Sequence, residues 1–432
     1  VSFWKMTRIA QALNRVRLDD LEAAVRRELA GFNLAGRVRQ GDRVCIGVGS
    51  RGIRDIHRIV KHLVEELKQC GVIPFVIPAM GSHGGATAAG QLRVLQSYGV
   101  TEEYIGCPVV SSLEVVQVGR TAEGIPVYLD RHAAAADHIV VVNRVKPHTL
   151  FFGSVQSGLL KMLVIGMGKH QGAIALHQAT IEHGTDSQLL DSAARVVLAT
   201  GKVLLGLAIL ENGYDETARV EVVAPEEMPE REALLLDEAV RMLPRLPVDR
   251  LDLLIVDEIG KEISGSGMDP NVVGRKWDDP MGLPRILRIF VRGLSPHTHG
   301  NATGIGRADF TTTRLVESMD RRSTYANTLT AARPEGARIP IYFDSDREVI
   351  EAALSTLGGK EPETVRAAWI KNTLQLSEML VSPVVLEDLR GRPDISTLDG
   401  SFPLDFDGDG NLVRVPFSFE SETSQKEGRG ES

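Results

Sequence analysis

The chain has 432 residues, 43% of them hydrophobic, with a formal net charge of −8 and a pI near 5.8, which is enough material for two domains that each bury a core. Aromatic residues make up only 5% and no basic stripe stands out, which argues against a nucleic acid partner. No apolar run reaches the ~18 residues that cross a bilayer, and the start, VSFWKMTRIAQ, lacks a secretory core, so a cytoplasmic protein is expected.

Cys45, Cys70 and Cys107 are far apart and lie in or beside apolar segments, so they read as small core residues rather than ligands. Without CxxC or HExxH spacing, side chains alone do not make a metal site. A site supplied largely by a cofactor stays open.

Leu21, Val25 and Leu29 mark an early helix whose positive N-terminus follows Asp19 and Asp20. Strands are expected at 43–49 and 73–78, each running into a glycine-rich turn and then a helix, at 55–70 and 86–98. That repeated order is the grammar of a doubly wound α/β sheet, in which ligands collect at the carboxyl ends of the strands. The first turn, with Ser50 and Arg51, opens a helix whose free N–H groups favour an anion, and Arg51 adds a planar charged fork. An ordinary tight turn with a solvated arginine is the plainer alternative. The second turn places His83 among glycines that let a ligand approach the backbone.

Residues 138–143 form a β-branched run typical of a buried parallel strand, and 144–148 leave it as a loop ending in His148. From 154 to 165 nearly every residue is apolar, so a buried helix is expected, with Ser154, Ser157, Gly158 and Lys161 on one arc. Sinking an ammonium among small apolar neighbours costs several kcal/mol unless it is paired or neutralised. Lys161 therefore has a task, snorkels to the surface, or pairs with a carboxylate. Three histidines flank it, His148, His170 and His177, which a satisfied core residue explains less well than it would a single one.

A helix around 189–198, a strand at 204–210 and a helix after Pro225 follow, and Pro244 and Pro247 mark a linker. The strand at 251–256 then enters a loop rich in glycine and polar groups that carries Lys261, Asp269 and Asn271, which suggests a binding loop facing the first domain. His297 and His299 form a His-x-His pair with no third ligand beside it. The acidic stretch from Asp405 to Asn411 imitates a calcium loop, but its twelfth position is Pro416, so an Asp-Gly hairpin is expected. The organisation expected is two α/β domains with doubly wound, mainly parallel sheets and an active-site cleft between them: a catalytic and cofactor-binding domain at 1–248, a second domain at 249–395, a hairpin at 396–419 and a disordered tail at 420–432.

The segment HIVVVNRVKPHTLFFGSVQSGLLKMLVIGMGKHQGAIALH, residues 138–177, resembles the nickel-pincer-nucleotide lactate racemase family and its relatives that racemise or epimerise other 2-hydroxy acids. The resemblance implies that Lys161 carries a pyridinium-3,5-bisthiocarboxylic acid mononucleotide holding nickel. It makes His177, sixteen residues further on, the protein ligand to the metal, with His170 as second candidate. His83 and His148 match the catalytic histidines and Arg51 the clamp on the substrate carboxylate. By the same resemblance Ser50, Ser157 and Gly158 contact the cofactor, Lys261, Asp269 and Asn271 meet the substrate, and enzymes that make the cofactor are partners. Val48 replaces an aspartate of the lactate enzyme, and no tyrosine occurs between 251 and 271. A larger hydroxy acid, such as a sugar acid, fits that departure better than lactate.

The reaction so implied is inversion at the hydroxyl-bearing C2. One histidine removes the hydroxyl proton as hydride leaves carbon for the cofactor, the planar 2-keto acid turns, and both return to the other face. The rival reading is a binding protein, without catalysis, for an anionic nucleotide or sugar acid. A metal-dependent hydrolase would need carboxylate ligands that the histidine neighbourhood does not offer.

Overall fold

The β-branched runs become the interior of a five-stranded sheet, in the order Ile73–Pro78, Arg43–Val48, His138–Arg144, Val203–Glu211 and Thr217–Val223. A computed structural model describes residues 3–49, 52–185, 187–277, 282–413 and 417. The first four strands pair in parallel, with Val44 opposite both Pro74 and His138, and the fifth closes the edge antiparallel. Helices cover both faces, which is why the central strands are apolar at every position rather than at alternate ones. On one face Leu21, Val25 and Leu29 meet Ile56, Ile59, Leu63 and Leu67. On the other lie Leu189, Leu190, Val197, Leu235 and Ala239. Each such side chain taken out of water contributes about 2 kcal/mol. The sequence-expected helices at 55–70 and 86–98 are present as Ile56–Gln69 and Ala88–Ser97, the second capped by Thr87, which accepts the Gly90 N–H at 3.0 Å.

The chain divides into two compact units, Asn14–Leu243, which holds this sheet, and Val1–Leu13 with Pro244–Ser432. The second unit carries its own sheet, in the order Ile341–Phe343, Phe310–Thr312, Arg285–Leu294, Arg250–Ile259, Ala367–Ile370, Glu378–Val381, Lys5–Gln11 and Ile395–Thr397. Its first five strands are parallel and the rest antiparallel. The architecture is therefore mixed α/β with sheets that are parallel at their centres, and neither described sheet closes into a barrel. The strand Lys5–Gln11 has no counterpart in the sequence reading. In the same unit the fully buried Asp346 carboxylate accepts from Arg292 Nε and the Leu412 N–H, both at 2.9 Å, and from Arg314. Asp407 Oδ1 accepts the N–H groups of Asp409 and Asn411 at 3.0 and 2.8 Å, inside a tight hairpin that the antiparallel Phe406–Leu412 bridge closes.

Among the described residues no helix is long and apolar enough to cross a membrane. The segment from Glu420 onward lies outside the described residues.

One buried charge ties the first unit together beneath its strand ends. Lys169, wholly buried and at φ 54°, donates from Nζ to the Pro78 carbonyl and pairs with Asp130 Oδ2 at 3.2 Å. Asp130, also wholly buried, uses Oδ1 to cap the helix Arg131–Ala135 through the N–H groups of His132 and Ala133. Burial pulls the Lys169 amine below its ordinary range, and Asp130 opposes the shift. Removing one partner strands the other charge in the core, so Lys169→Met should cost about 3 kcal/mol in equilibrium urea unfolding. A loss below about 1 kcal/mol would mean that the ammonium is not held there as a charge.

Candidate active site

The strand His138–Arg144 stops being apolar at its carboxyl end, and the site grows from that change. Asn143, 6% exposed, donates from Nδ2 to the Gly158 carbonyl at 3.0 Å. Two residues past the strand, Lys146 exchanges backbone hydrogen bonds with Ser157 at 2.8 and 3.2 Å. The chain is thereby held extended up to Gly158, and helix begins only at Leu159–Lys161, running directly into a π-helical turn, Met162–Gly166. The helix expected from residue 154 does not form, because the Ser157 N–H and C=O are committed to Lys146. Ser154 and Ser157 consequently do not share a helical arc with Lys161. In the turn itself the Met167 N–H reaches the Met162 carbonyl at 2.8 Å, a wider spacing that often marks functional positions.

Glu232 closes the other side of this turn. The carboxyl is wholly buried, and Oε2 accepts the Leu160 N–H at 2.8 Å. A Cβ at position 158 would sit 2.5 Å from its carboxyl carbon, so a larger residue there would push the Glu232 carboxyl aside. Oε1 has no hydrogen-bond partner among the described residues. Burial raises this carboxyl to about 7, against the pull of the N–H groups of Leu160 and Leu159.

His83 is placed by a second device. Gly84 adopts φ 65°, and a Cβ there would meet the Gln91 nitrogen at 2.5 Å, so the turn needs glycine on both counts. Gln91, wholly buried, donates from Nε2 to the Gly81 carbonyl at 2.8 Å and pins the loop that carries the histidine.

His83, Ser157 and Lys161 line one cavity, together with Asn143, Arg144 and Lys146, over an apolar floor that includes Met80, Met162 and Ile165. No carboxylate is among the described residues that line it. Arg144 is ion-paired with Glu211, a nearly buried carboxylate that also accepts the Arg54 N–H at 3.0 Å. Two lysines and the ion-paired Arg144 border this concavity, side chains of a chemistry suited to an anionic ligand.

His148 is not among the residues that line this cavity. Its Nδ1 accepts the N–H groups of Leu150 and Phe151 at 3.0 and 3.1 Å, which puts the ring proton on Nε2. Its ring lies 5.0 Å from that of Phe151, which in turn stacks on His177 at 6.3 Å and 17°. His148 and His177 thus share a wholly buried aromatic neighbour. His177 and His170 both lie on the helix Lys169–His183, and His170 Nδ1 is buried with no hydrogen-bond partner among the described residues. No group of three or more histidine, cysteine or acidic side chains able to hold a metal exists among the described residues.

Ser50 and Arg51 lie outside the described residues. Lys261, Asp269 and Asn271 belong to the second unit. There Lys261 Nζ donates to Asn327 Oδ1 at 2.6 Å, and Asp269 Oδ1 accepts both the backbone N–H and the Nδ2 of Asn271 at 2.8 Å, capping the short helix Pro270–Val273. His297 lies within the tight turn Pro296–Thr298, which Ser295 caps through the His297 N–H, and His299 follows it at φ 50°. Asn143, Arg144, Lys146 and Glu232 escaped the sequence reading. The first three could have been found as the polar end of a buried parallel strand and the loop after it; nothing in the sequence near Lys161 points to Glu232.

Residues 8–188 match the family model of the lactate racemase N-terminal domain. Among solved structures, the lactate racemase apoprotein from Thermoanaerobacterium thermosaccharolyticum is similar with a TM-score of 0.46 and 13% identity, over 78% of this chain and 83% of that one. No match was found among curated proteins.

Because its folded value is raised from 4.5 to about 7, Glu232 favours the fold fully below about pH 4.5, and that contribution is lost as pH rises through about 7. Up to about 3 kcal/mol is at stake. Urea unfolding at several pH values should show this decline in the wild type and a flatter profile in Glu232→Gln. Parallel profiles for the two proteins would contradict it.

Proposed function

We propose, from the match of residues 8–188 to the family model of the lactate racemase N-terminal domain, that this protein is a racemase or epimerase that inverts the hydroxyl-bearing C2 of a 2-hydroxy acid. The observation that carries the proposal is the meeting of Lys161 and His83 on one cavity whose described lining is cationic. The residues fit a nickel-pincer nucleotide in two respects: the lysine that would anchor it lines the cavity, and the basic side chains there suit its phosphate. Lys161 would hold the nucleotide, with Ser50, Ser157 and Gly158 assigned as further contacts to it, and His177 would give the metal its protein ligand. When bound, the group supplies an acceptor for hydride, which a histidine cannot provide.

The chain's own residues do the rest. Arg51 is assigned to the substrate carboxylate and Lys261, Asp269 and Asn271 to the remainder of the substrate. His83 takes the hydroxyl proton in one direction. His148 serves the opposite face, and to give a proton to the substrate oxygen from Nε2 its ring must first become the imidazolium, with Nδ1 protonated and turned away from the N–H groups of Leu150 and Phe151. The arrangement is asymmetric at rest, since protonating His148 at Nδ1 would set a third N–H against those of Leu150 and Phe151. Three free thiols suit a reducing compartment such as the cytoplasm. The departures at Val48 and in the 251–271 loop favour a substrate larger than lactate, a sugar acid being the class to try first.

The test is a panel of 2-hydroxy acids incubated with cofactor-loaded protein in deuterated buffer and separated on a chiral column. Inversion without deuterium at C2 is expected, since hydride does not exchange with solvent. His83→Ala and His148→Ala should each lower turnover at least ~100-fold while substrate still binds. Deuterium at C2 would point to proton abstraction from carbon. Binding with no turnover in the wild type would favour the binding-protein reading.

A further inference from the structure

The proposed reaction gives no role to Glu232, although this residue is the most unusual acid in the first unit. It is wholly buried, carries no cation against it, and leaves one oxygen without a hydrogen-bond partner among the described residues. Native interiors rarely tolerate such a group without a use for it. Its one close engagement is with the backbone immediately before Lys161, where Oε2 accepts the Leu160 N–H at 2.8 Å. From the opposite side Asn143 donates to the Gly158 carbonyl at 3.0 Å. The three residues that precede Lys161 are thus gripped by two side chains, only one of which can change its charge.

We propose that Glu232 is a positioning residue for Lys161: its carboxylate, seated on the Leu160 N–H, fixes the turn from which the amine enters the cavity, and taking up a proton loosens that hold. The proposal rests on the reading of Lys161 as the functional amine. An ionised carboxylate holds an N–H about twice as strongly as a neutral acceptor does, so protonation weakens the grip without breaking it. Protonation also gives the carboxyl a donor that has no acceptor in place, which favours a shift of the side chain and with it of the turn.

The ionisation that matters belongs to Glu232 alone. The helix Met228–Met242 packs most closely on Leu159–Lys161, on the strand Val203–Glu211 and on the turn Pro225–Glu227. Those elements present Lys161, Glu211 in its pair with Arg144, and the exposed Glu226 and Glu227; the helix itself adds Glu230, Arg231, Asp237, Glu238 and Arg241. None of them contributes to the displacement of the Glu232 carboxyl, which comes from burial and is opposed only by backbone N–H groups. The transition falls at about 7, where both states are populated in neutral solution.

The experiment is trace acetylation of the cofactor-free protein with acetic anhydride, with the modification of Lys161 measured by peptide mass spectrometry relative to the exposed Lys5. In the wild type the Lys161 to Lys5 ratio should change about fivefold across the transition, the worth of a weakened hydrogen bond. Glu232→Gln, which keeps an oxygen for the Leu160 N–H but cannot ionise, should give a flat ratio with its melting transition intact. A flat wild-type ratio overturns the proposal even if the variant does not fold, and so does a Glu232→Gln ratio that follows the wild type. A merely structural role would change the melting temperature and leave the ratio alone. Labelling needs neither nickel nor turnover, so failure of the racemase reading would show in the chiral assay and not here.

Discussion

Everything at the site depends on how one short turn is fastened to the end of one buried strand. The strand His138–Arg144 is apolar on both faces until Asn143, whose amide takes the Gly158 carbonyl at 3.0 Å. Beyond it the Lys146 and Ser157 backbones pair, and Glu232 receives the Leu160 N–H from the far side. Gly158 leaves room for that carboxyl, which a methyl group would displace. Lys161 follows three residues later, so its amine emerges at a height and angle that the strand end dictates. A flexible, strongly hydrated side chain gains the fixed origin that chemistry requires of it.

The same economy governs the histidines. Gln91 anchors the His83 loop, two N–H groups fix the His148 tautomer, and Phe151 contacts the rings of both His148 and His177. Beneath them the Lys169–Asp130 pair joins the start of the helix that bears His170 and His177 to the Pro78 strand end that leads to His83. Burying those charges and holding Lys169 at positive φ oppose folding by several kcal/mol. The fold tolerates this where its helix and loop must keep register.

Much of the first unit is legible in the sequence because a strand covered on both faces must be apolar throughout, and 43–49, 73–78 and 138–143 are. Lys161 stands out for the converse reason, a charge inside an apolar run. What could not be read is what distant segments do to each other. Lys5–Gln11 carries Lys5, Arg8 and Gln11, which dilute its pattern, yet it pairs with Glu378–Val381. Ser157 looked helical by spacing, but a backbone pair with Lys146 outweighs local preference. Glu232 lies some seventy residues from the turn it touches, and no local pattern reports a contact of that kind.

The central claim is that the Lys161 amine anchors a nickel-bearing nucleotide. Intact-protein mass spectrometry and elemental analysis, after expression alongside cofactor-synthesis enzymes, address it most directly. The account predicts added mass on the Lys161 peptide and stoichiometric nickel, both lost in Lys161→Ala. Undiminished isomerisation by protein with neither added mass nor nickel would contradict it.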